Sequence, residues 1–262
     1  MPIRQIEHPA KYSQSIADQM AECLSTQHLP IDGDKYFGRV WDPFGGTGRI
    51  HSIVDAVVNK PLLAITTEIE WEWAGQSNTL GRGRSVVADM QHAPFRPESF
   101  VAIATSPCYG NRMADHHENK DLCSQCKGTG RGVEIDTRDT DCKKCKGDGR
   151  SVRNTYRHKL GRALTPGSAA MLQWGPNYRA FHEKAWGEVW LHLKPHGLFI
   201  LNVSDHIRAG VREHVSDWHN KIILSMPFTP VDALSVETRR NKQGENGNLR
   251  VNSEMIFVYR KR

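Results

Sequence analysis

The chain contains no apolar run of about 20 residues, the length a membrane-spanning helix needs. Met1-Pro2-Ile3-Arg4-Gln5 is not followed by an apolar signal region, so the expectation is a soluble, cytoplasmic protein with no membrane partner. It has no Gly-x-x-x-x-Gly-Lys-Ser/Thr spacing, which disfavours a phosphate-gripping P-loop. Cysteine is scarce, with six in 262 residues, and four of them fall in two Cys-x-x-Cys pairs. In a cytosolic chain that pattern points to metal, with redox chemistry as the alternative, rather than to structural disulfides. Excess charge is also absent from most of the sequence. Residues 143–162 hold eight Lys/Arg and one Asp, so the net charge of +6 belongs to this one stretch. A local basic patch suits a polyanion, most often nucleic acid, although a solvated basic loop has the same composition.

The chain is long enough for one large domain, or for one domain with an insertion, and can bury a real core. Its patterning alternates between helix and strand. Ile16, Met20, Cys23 and Leu24 recur at helical spacing over residues 13–25, with Cys23 as a small core residue. Short strands are expected at 38–41, 62–67, 85–88, 101–105 and 198–203. Helices are expected around Ile50, Ile53, Val54, Val57 and Val58, around Tyr178, Phe181, Ala185, Val189 and His192, and around Val215, Trp218, Ile222, Ile223 and Met226. Lys194-Pro195-His196-Gly197 is read as a stop between the second of these helices and its strand. Two final strands, about 231–238 and 252–259, follow with no helix between them and so pair antiparallel.

Polar residues gather where the strands end. Asp42-Pro43-Phe44-Gly45-Gly46-Thr47-Gly48 connects the first strand to a helix, and glycine there lets backbone approach a ligand closely; a nucleotide phosphate or an amino-acid carboxylate would suit. The second strand ends at Glu68, placed to accept hydrogen bonds from ribose hydroxyls, and the third at Asp89. The fourth runs into Thr105-Ser106-Pro107-Cys108-Tyr109-Gly110. This rigid turn carries a hydroxyl, a thiol and a phenol at the sheet edge where ligands of open α/β folds bind.

This order of elements resembles the seven-stranded fold of S-adenosylmethionine-dependent methyltransferases, and the motifs resemble the amino-methylating DNA methyltransferases in particular. DPFGGTG at 42–48 is similar to their DPFxGxG methionine-binding loop. TSPCYG at 105–110 is similar to their catalytic SPPY or DPPY turn, and His8-Pro9-Ala10-Lys11-Tyr12-Ser13 to their cofactor-flanking N-terminal motif. Residues 254–261, EMIFVYRK, resemble their last strand. The resemblance implies an α/β fold with a Rossmann-like seven-stranded sheet and an antiparallel C-terminal hairpin. It implies S-adenosylmethionine bound by Tyr12, Ser13, Asp42, Phe44, Gly45, Gly46, Gly48, Glu68, Asp89, Met90 and Ser106, with Ser106, Pro107, Cys108 and Tyr109 at the reaction. The Ser106 hydroxyl and the Pro107 carbonyl would accept hydrogen bonds from an exocyclic amino group and localise its lone pair, while Tyr109 stacks on a flipped base. Serine at position 106 leans toward cytosine within that family, with adenine as the other target.

Two departures complete the pattern. Cys123-Ser-Gln-Cys126-Lys-Gly-Thr-Gly is repeated as Cys142-Lys-Lys-Cys145-Lys-Gly-Asp-Gly. This is the spacing of a tetrahedral four-cysteine zinc site and is similar to the CxxCxGxG modules of J-protein cochaperones. The sequence therefore divides into a first core segment at 1–111, a zinc-binding basic insertion at 112–165 and a second core segment at 166–262. Arg150, Arg153, Arg157, Lys159 and Arg162 are candidate contacts to double-stranded DNA, against the alternative of a knuckle that only ties down a loop. The second departure is Cys108, which stands where the family has proline. Pro-Cys also carries the nucleophile of cytosine-C5 methyltransferases, although no Glu-Asn-Val-like motif follows. Amino methylation of DNA is the expectation. C5 methylation through Cys108, RNA methylation and a catalytically silent zinc-containing DNA binder are the alternatives. Oligomeric state and recognition sequence are not legible.

Overall fold

The computed structural model describes residues 8, 13–31, 37–81, 84–110, 122–134, 138–145, 147, 149, 156–238, 249 and 251–262; at 157 and 158 it describes backbone only. In chain order the elements are α1 (Gln14–Thr26), β1 (Gly38–Asp42), α2 (Arg49–Asp55), β2 (Leu62–Glu68), α3 (Trp71–Gly81), β3 (Ser85–Val87), β4 (Phe100–Thr105), α4 (Tyr156–Leu160), α5 (Pro176–His192), β5 (Leu193–Val203), β6 (His206–Arg208), β7 (Val211–Glu213), α6 (Val215–Leu224), β8 (Phe228–Glu237) and β9 (Ser253–Lys261).

Seven strands form one sheet in the order β3-β2-β1-β4-β5-β9-β8. The first five run parallel, and β9 inserts antiparallel between β5 and β8. The expected α/β fold with its antiparallel hairpin is therefore present. Strand β5 shows why the central runs read as continuously apolar: its alternate residues feed two different cores. Leu198 and Ile200 face a layer containing Ile16, Met20, Leu24, Ile50 and Val54 from α1 and α2. Phe199, Leu201 and Val203 face Phe181, Ala185, Trp186 and Val189 of α5 and Ile223 of α6. Because the strand order reverses at β1 and β4, their carboxyl ends border a crevice, and the polar loops open there.

The structure corrects two local expectations and adds two elements. Helix α2 ends at Asp55, so Val57 is buried without being helical and Val58 is 93% exposed; Pro61 follows closely, where a helix could not continue. Lys194 to Gly197 do not stop a helix ahead of the strand. Helix α5 passes directly into β5 at Leu193, and the segment is taken up by a register shift opposite Phe100 and Ala102, with His196 at φ +61°. The hairpin β6–β7 and helix α3 were not anticipated. The Ala209-Gly210 turn, with φ of +48° and +77°, is the signal that marks the hairpin. Helix α3 buries polar residues, including Glu72 and Ser77, and so carries little amphipathic pattern.

Candidate active site

Asp42, buried at the end of β1, holds the two halves of the site together. Its Oδ1 accepts the Thr105 hydroxyl at 2.6 Å, from the end of β4, and the Phe44 N–H at 3.1 Å, from the glycine loop. Burial pushes its carboxyl up to about 6, and these two hydrogen bonds pull against the rise. The loop is fastened to β2 as well. Gly45 N–H donates to the Thr67 carbonyl at 2.9 Å, and a Cβ on Gly45 would lie 2.5 Å from that of Thr66, so only glycine fits. Gly46 N–H donates to Glu68 Oε2 at 2.8 Å, and Glu70 N–H to Glu68 Oε1 at 2.9 Å. Glu68 is raised to about 7, by burial above all, with these N–H donors opposing. Asp89 accepts from the Gln91 N–H at 2.9 Å and so caps the short turn that carries Met90.

These pieces line one cavity of about 310 Å³. Its lining brings together Phe44, Gly45, Gly46 and Thr47 of the glycine loop, Glu68 at the end of β2, Asp89 and Met90 after β3, and Ser106, Pro107, Cys108 and Tyr109 of the turn. Of the residues expected from sequence, Asp42 lies behind the loop, and Gly48, at φ +84°, serves as the N-cap of α2. Ser13 spends its hydroxyl on the Ile16 N–H at the start of α1, and Tyr12 lies outside the described residues.

The turn is held rigid from behind by a relay whose tautomer is fixed. Trp186 Nε1–H donates to His219 Nδ1 at 3.1 Å, so the neutral ring carries its hydrogen on Nε2. That nitrogen donates to the Tyr178 hydroxyl at 2.9 Å, and Tyr178 donates to the Cys108 carbonyl at 2.8 Å. Burial keeps His219 neutral by driving its pKa well below the ordinary value, with His182 adding to the effect. Gly110 closes the turn at φ +68°, with its carbonyl accepting from Trp174 N–H; a Cβ there would meet that nitrogen at 2.7 Å.

In front of the turn lies a network that the sequence did not reveal. Tyr109 Oη donates to Glu254 Oε2 at 2.8 Å and lies 2.8 Å from Ser106 Oγ. Asn202 Nδ2 reaches Glu254 at 2.8 Å, Tyr109 at 2.9 Å and Ser106 at 3.1 Å. Asn202 is the one polar side chain in the otherwise apolar run 198–203, and that was the available signal. Cys108 packs against Tyr156, with its Sγ 3.6 Å from the phenol oxygen, and burial pushes the thiol up to about 11.

Tyr156 begins the segment that leaves the cysteine-rich stretch, and it packs onto the core. Its ring lies 5.3 Å from Trp73 and 5.1 Å from His8. Arg162 grips Glu70 at 2.7 Å and also pairs with Glu72, while the Thr165 N–H donates to Glu70 at 2.9 Å. This corrects one expectation: Arg162 is occupied by buried carboxylates and is not presented to a phosphate. Arg150, Arg153 and the side chain of Arg157 lie outside the described residues.

The four cysteines of the two pairs form a separate buried cluster, with all sulfurs within 4.8 Å of one another. Cys123 and Cys142 are 3.9 Å apart, and Cys126 and Cys145 3.6 Å. Tetrahedral zinc with Zn–S near 2.3 Å would place its sulfurs about 3.8 Å apart. The two repeats brace each other: Cys123 N–H donates to Gly149, Cys142 N–H to Gly130, and Gly130 and Gly149 donate to the sulfurs of Cys126 and Cys145. Four buried thiols with N–H···S support make a donor set that fits zinc.

No family model and no curated protein match the chain. Among solved structures it is similar to a geranyl diphosphate methyltransferase in complex with GPP and sinefungin, with a TM-score of 0.51 at 10% identity over 95% of this chain and 77% of that one. It aligns with TrmN from Thermus thermophilus at a TM-score of 0.48 and 15% identity, over 99% of this chain and 53% of that one. A TehB-like SAM-dependent methyltransferase from Corynebacterium glutamicum gives 0.45 and 10%, over 94% and 87%. The first of these likenesses, with the strand order, establishes the class: a mixed α/β chain with the seven-stranded methyltransferase fold. No helix among the described residues is long and apolar enough to cross a membrane.

Proposed function

We propose that the protein is an S-adenosylmethionine-dependent methyltransferase acting on the exocyclic amino group of cytosine or adenine in DNA. The observation that carries this reading is the single cavity in which the glycine loop, Glu68, Asp89 and the Ser106–Tyr109 turn meet. S-adenosylmethionine would supply an electrophilic sulfonium methyl. Phe44 to Thr47 would hold its methionine end, Glu68 its ribose hydroxyls through lone pairs not used by Gly46 and Glu70, and Asp89 with Met90 its adenine. The turn does the orienting. Ser106 Oγ and the Pro107 carbonyl accept from the target amino group, and Tyr178 with His219 keeps that backbone from shifting. Zinc on Cys123, Cys126, Cys142 and Cys145 would order the insertion, whose basic residues supply contact to phosphate.

Amino-group alignment is favoured over covalent C5 catalysis by the surroundings of Cys108. A thiol raised to about 11 stays protonated at neutral pH and is a poor nucleophile. Calorimetry with S-adenosylmethionine, followed by mass spectrometry of nucleosides from DNA and RNA treated with the protein, tests the proposal. Absence of cofactor binding by the folded, zinc-loaded chain would sink the enzyme reading, and a methylated base found in RNA alone would replace DNA as the substrate.

A further inference from the structure

We infer that Glu254 fixes the direction of the hydrogen-bond chain in front of the turn and thereby makes the cavity select an amino group over a carbonyl oxygen at the target position. This deepens the amino-methyltransferase reading and rests on it. Three elements converge on one carboxylate oxygen: Tyr109 from the turn and Asn202 from β5 both lie 2.8 Å from Glu254 Oε2 on β9. A carboxylate accepts and does not donate. Tyr109 therefore directs its one hydrogen at Glu254, leaving the phenol oxygen as an acceptor. Ser106 Oγ, 2.8 Å away, then directs its own single hydrogen at Tyr109.

With that hydrogen committed, Ser106 Oγ has only lone pairs left, one within reach of Asn202 Nδ2 at 3.1 Å and one for the cavity that it lines. An exocyclic N–H meets a lone pair and is held, whereas an exocyclic oxygen at the same place meets acceptor with acceptor. The Asn202 amide is oriented by the same carboxylate, since its oxygen in place of its nitrogen would face Glu254 at 2.8 Å. Among the described residues, buried Asn202 Oδ1 has no hydrogen-bond partner. The Ser106 and Tyr109 hydroxyls thus donate in series toward Glu254, and Asn202 Nδ2 lies within donating reach of all three.

The test uses the zinc-loaded full chain and fluorescence anisotropy with random-sequence single-stranded DNA made with cytosine or uracil, and with adenine or hypoxanthine. The wild type is expected to bind the amino-bearing member of one pair roughly tenfold more tightly than its oxo counterpart. Glu254→Gln, whose amide can also donate, and Tyr109→Phe, which deletes the middle link, both free Ser106 to turn its hydrogen inward. In both the ratio should fall to about one, with an unchanged circular-dichroism spectrum and melting temperature within a few degrees as the control for folding. Glu254→Asp, which restores an acceptor, should recover part of the ratio. Variants that keep the wild-type ratio would overturn the inference, and so would a wild type that methylates DNA without discriminating amino from oxo bases. A wild type that neither binds nor methylates nucleic acid would overturn the underlying reading, a failure seen in the parent protein and not in the variants.

Discussion

The hydroxyl of Thr105 lies 2.6 Å from the carboxylate of Asp42, joining the last residue of β4 to the last residue of β1 across the crevice. The bond ties the ligand-facing loop to the turn, so disturbance of either end should be felt at both. Thr105→Val removes the donor, keeps the shape and leaves a buried carboxylate short of a partner. The expected cost is about 1 to 3 kcal/mol of stability in urea denaturation, together with weaker S-adenosylmethionine binding by calorimetry. An unchanged denaturation midpoint would show that the two strand ends are positioned independently.

Glu68 and Asp42 give the fold a pH signature. Both carboxyls are raised in the folded state, to about 7 and about 6, from ordinary values of 4.5 and 3.8. The folded protein therefore holds more protons than the unfolded chain between those limits. Their contribution to stability is full below about pH 4 and is lost as pH rises toward 7. Melting temperature without ligand should fall across that window, and Glu68→Gln should flatten the part above pH 5. A melting temperature that rises with pH through the window in the wild type, with no change of slope in Glu68→Gln, would contradict the assignment.

Metal content checks the cysteine cluster. About one zinc per chain is expected from reduced, unchelated protein, and Cys142→Ser should abolish it. Hydrogen exchange should then rise locally over residues 122–149 while the sheet stays protected. Protein purified under these conditions with no zinc would remove the metal reading.

Cys108 separates alignment from covalent attack. Cys108→Ser should retain amino-methylating activity within about tenfold, because the thiol only fills space beside Tyr156. A covalent adduct with 5-fluorocytosine DNA, lost in Cys108→Ser, would establish the thiolate mechanism instead.

Arg162→Ala should destabilise the protein by about 3 kcal/mol, because Glu70 is 1% exposed and would be left as an uncompensated buried charge. The salt dependence of DNA binding should not change, since this arginine faces carboxylates. A shallower salt slope in the variant would return Arg162 to the group of phosphate contacts.

The layered fold was legible because its signals are local and repeated: short, largely apolar strands, each closed by a polar residue at one sheet edge. The glycine loop, Glu68, Asp89 and the Ser106 turn were visible for the same reason, as each is a short contiguous motif. What escaped was assembled by distant pairings. Glu254 meets Tyr109 across 145 positions and Arg162 meets Glu70 across 92, and nothing in the neighbourhood of either residue announces its partner. Arg162 was misassigned because a cation in a basic stretch looks the same whether it faces solvent or a buried acid. Helix α3 was missed because its buried face mixes Trp73 and Ala74 with Glu72 and Ser77 and so shows no clear apolar stripe.

Tyr156 and Arg162 bear on how the cavity wall is reached during folding. Gly110 and Tyr156 stand 46 positions apart, and Cys123 and Cys145, within that span, stand 22 apart. A metal that clips the cysteines together nearly halves the length of free chain whose ends must meet before Tyr156 can dock against Cys108. By loop-closure entropy the shortening favours docking by about 0.6 kcal/mol. The cysteine cluster would then act as a tether that shortens the search for the wall, although its own sulfurs line no part of the cavity.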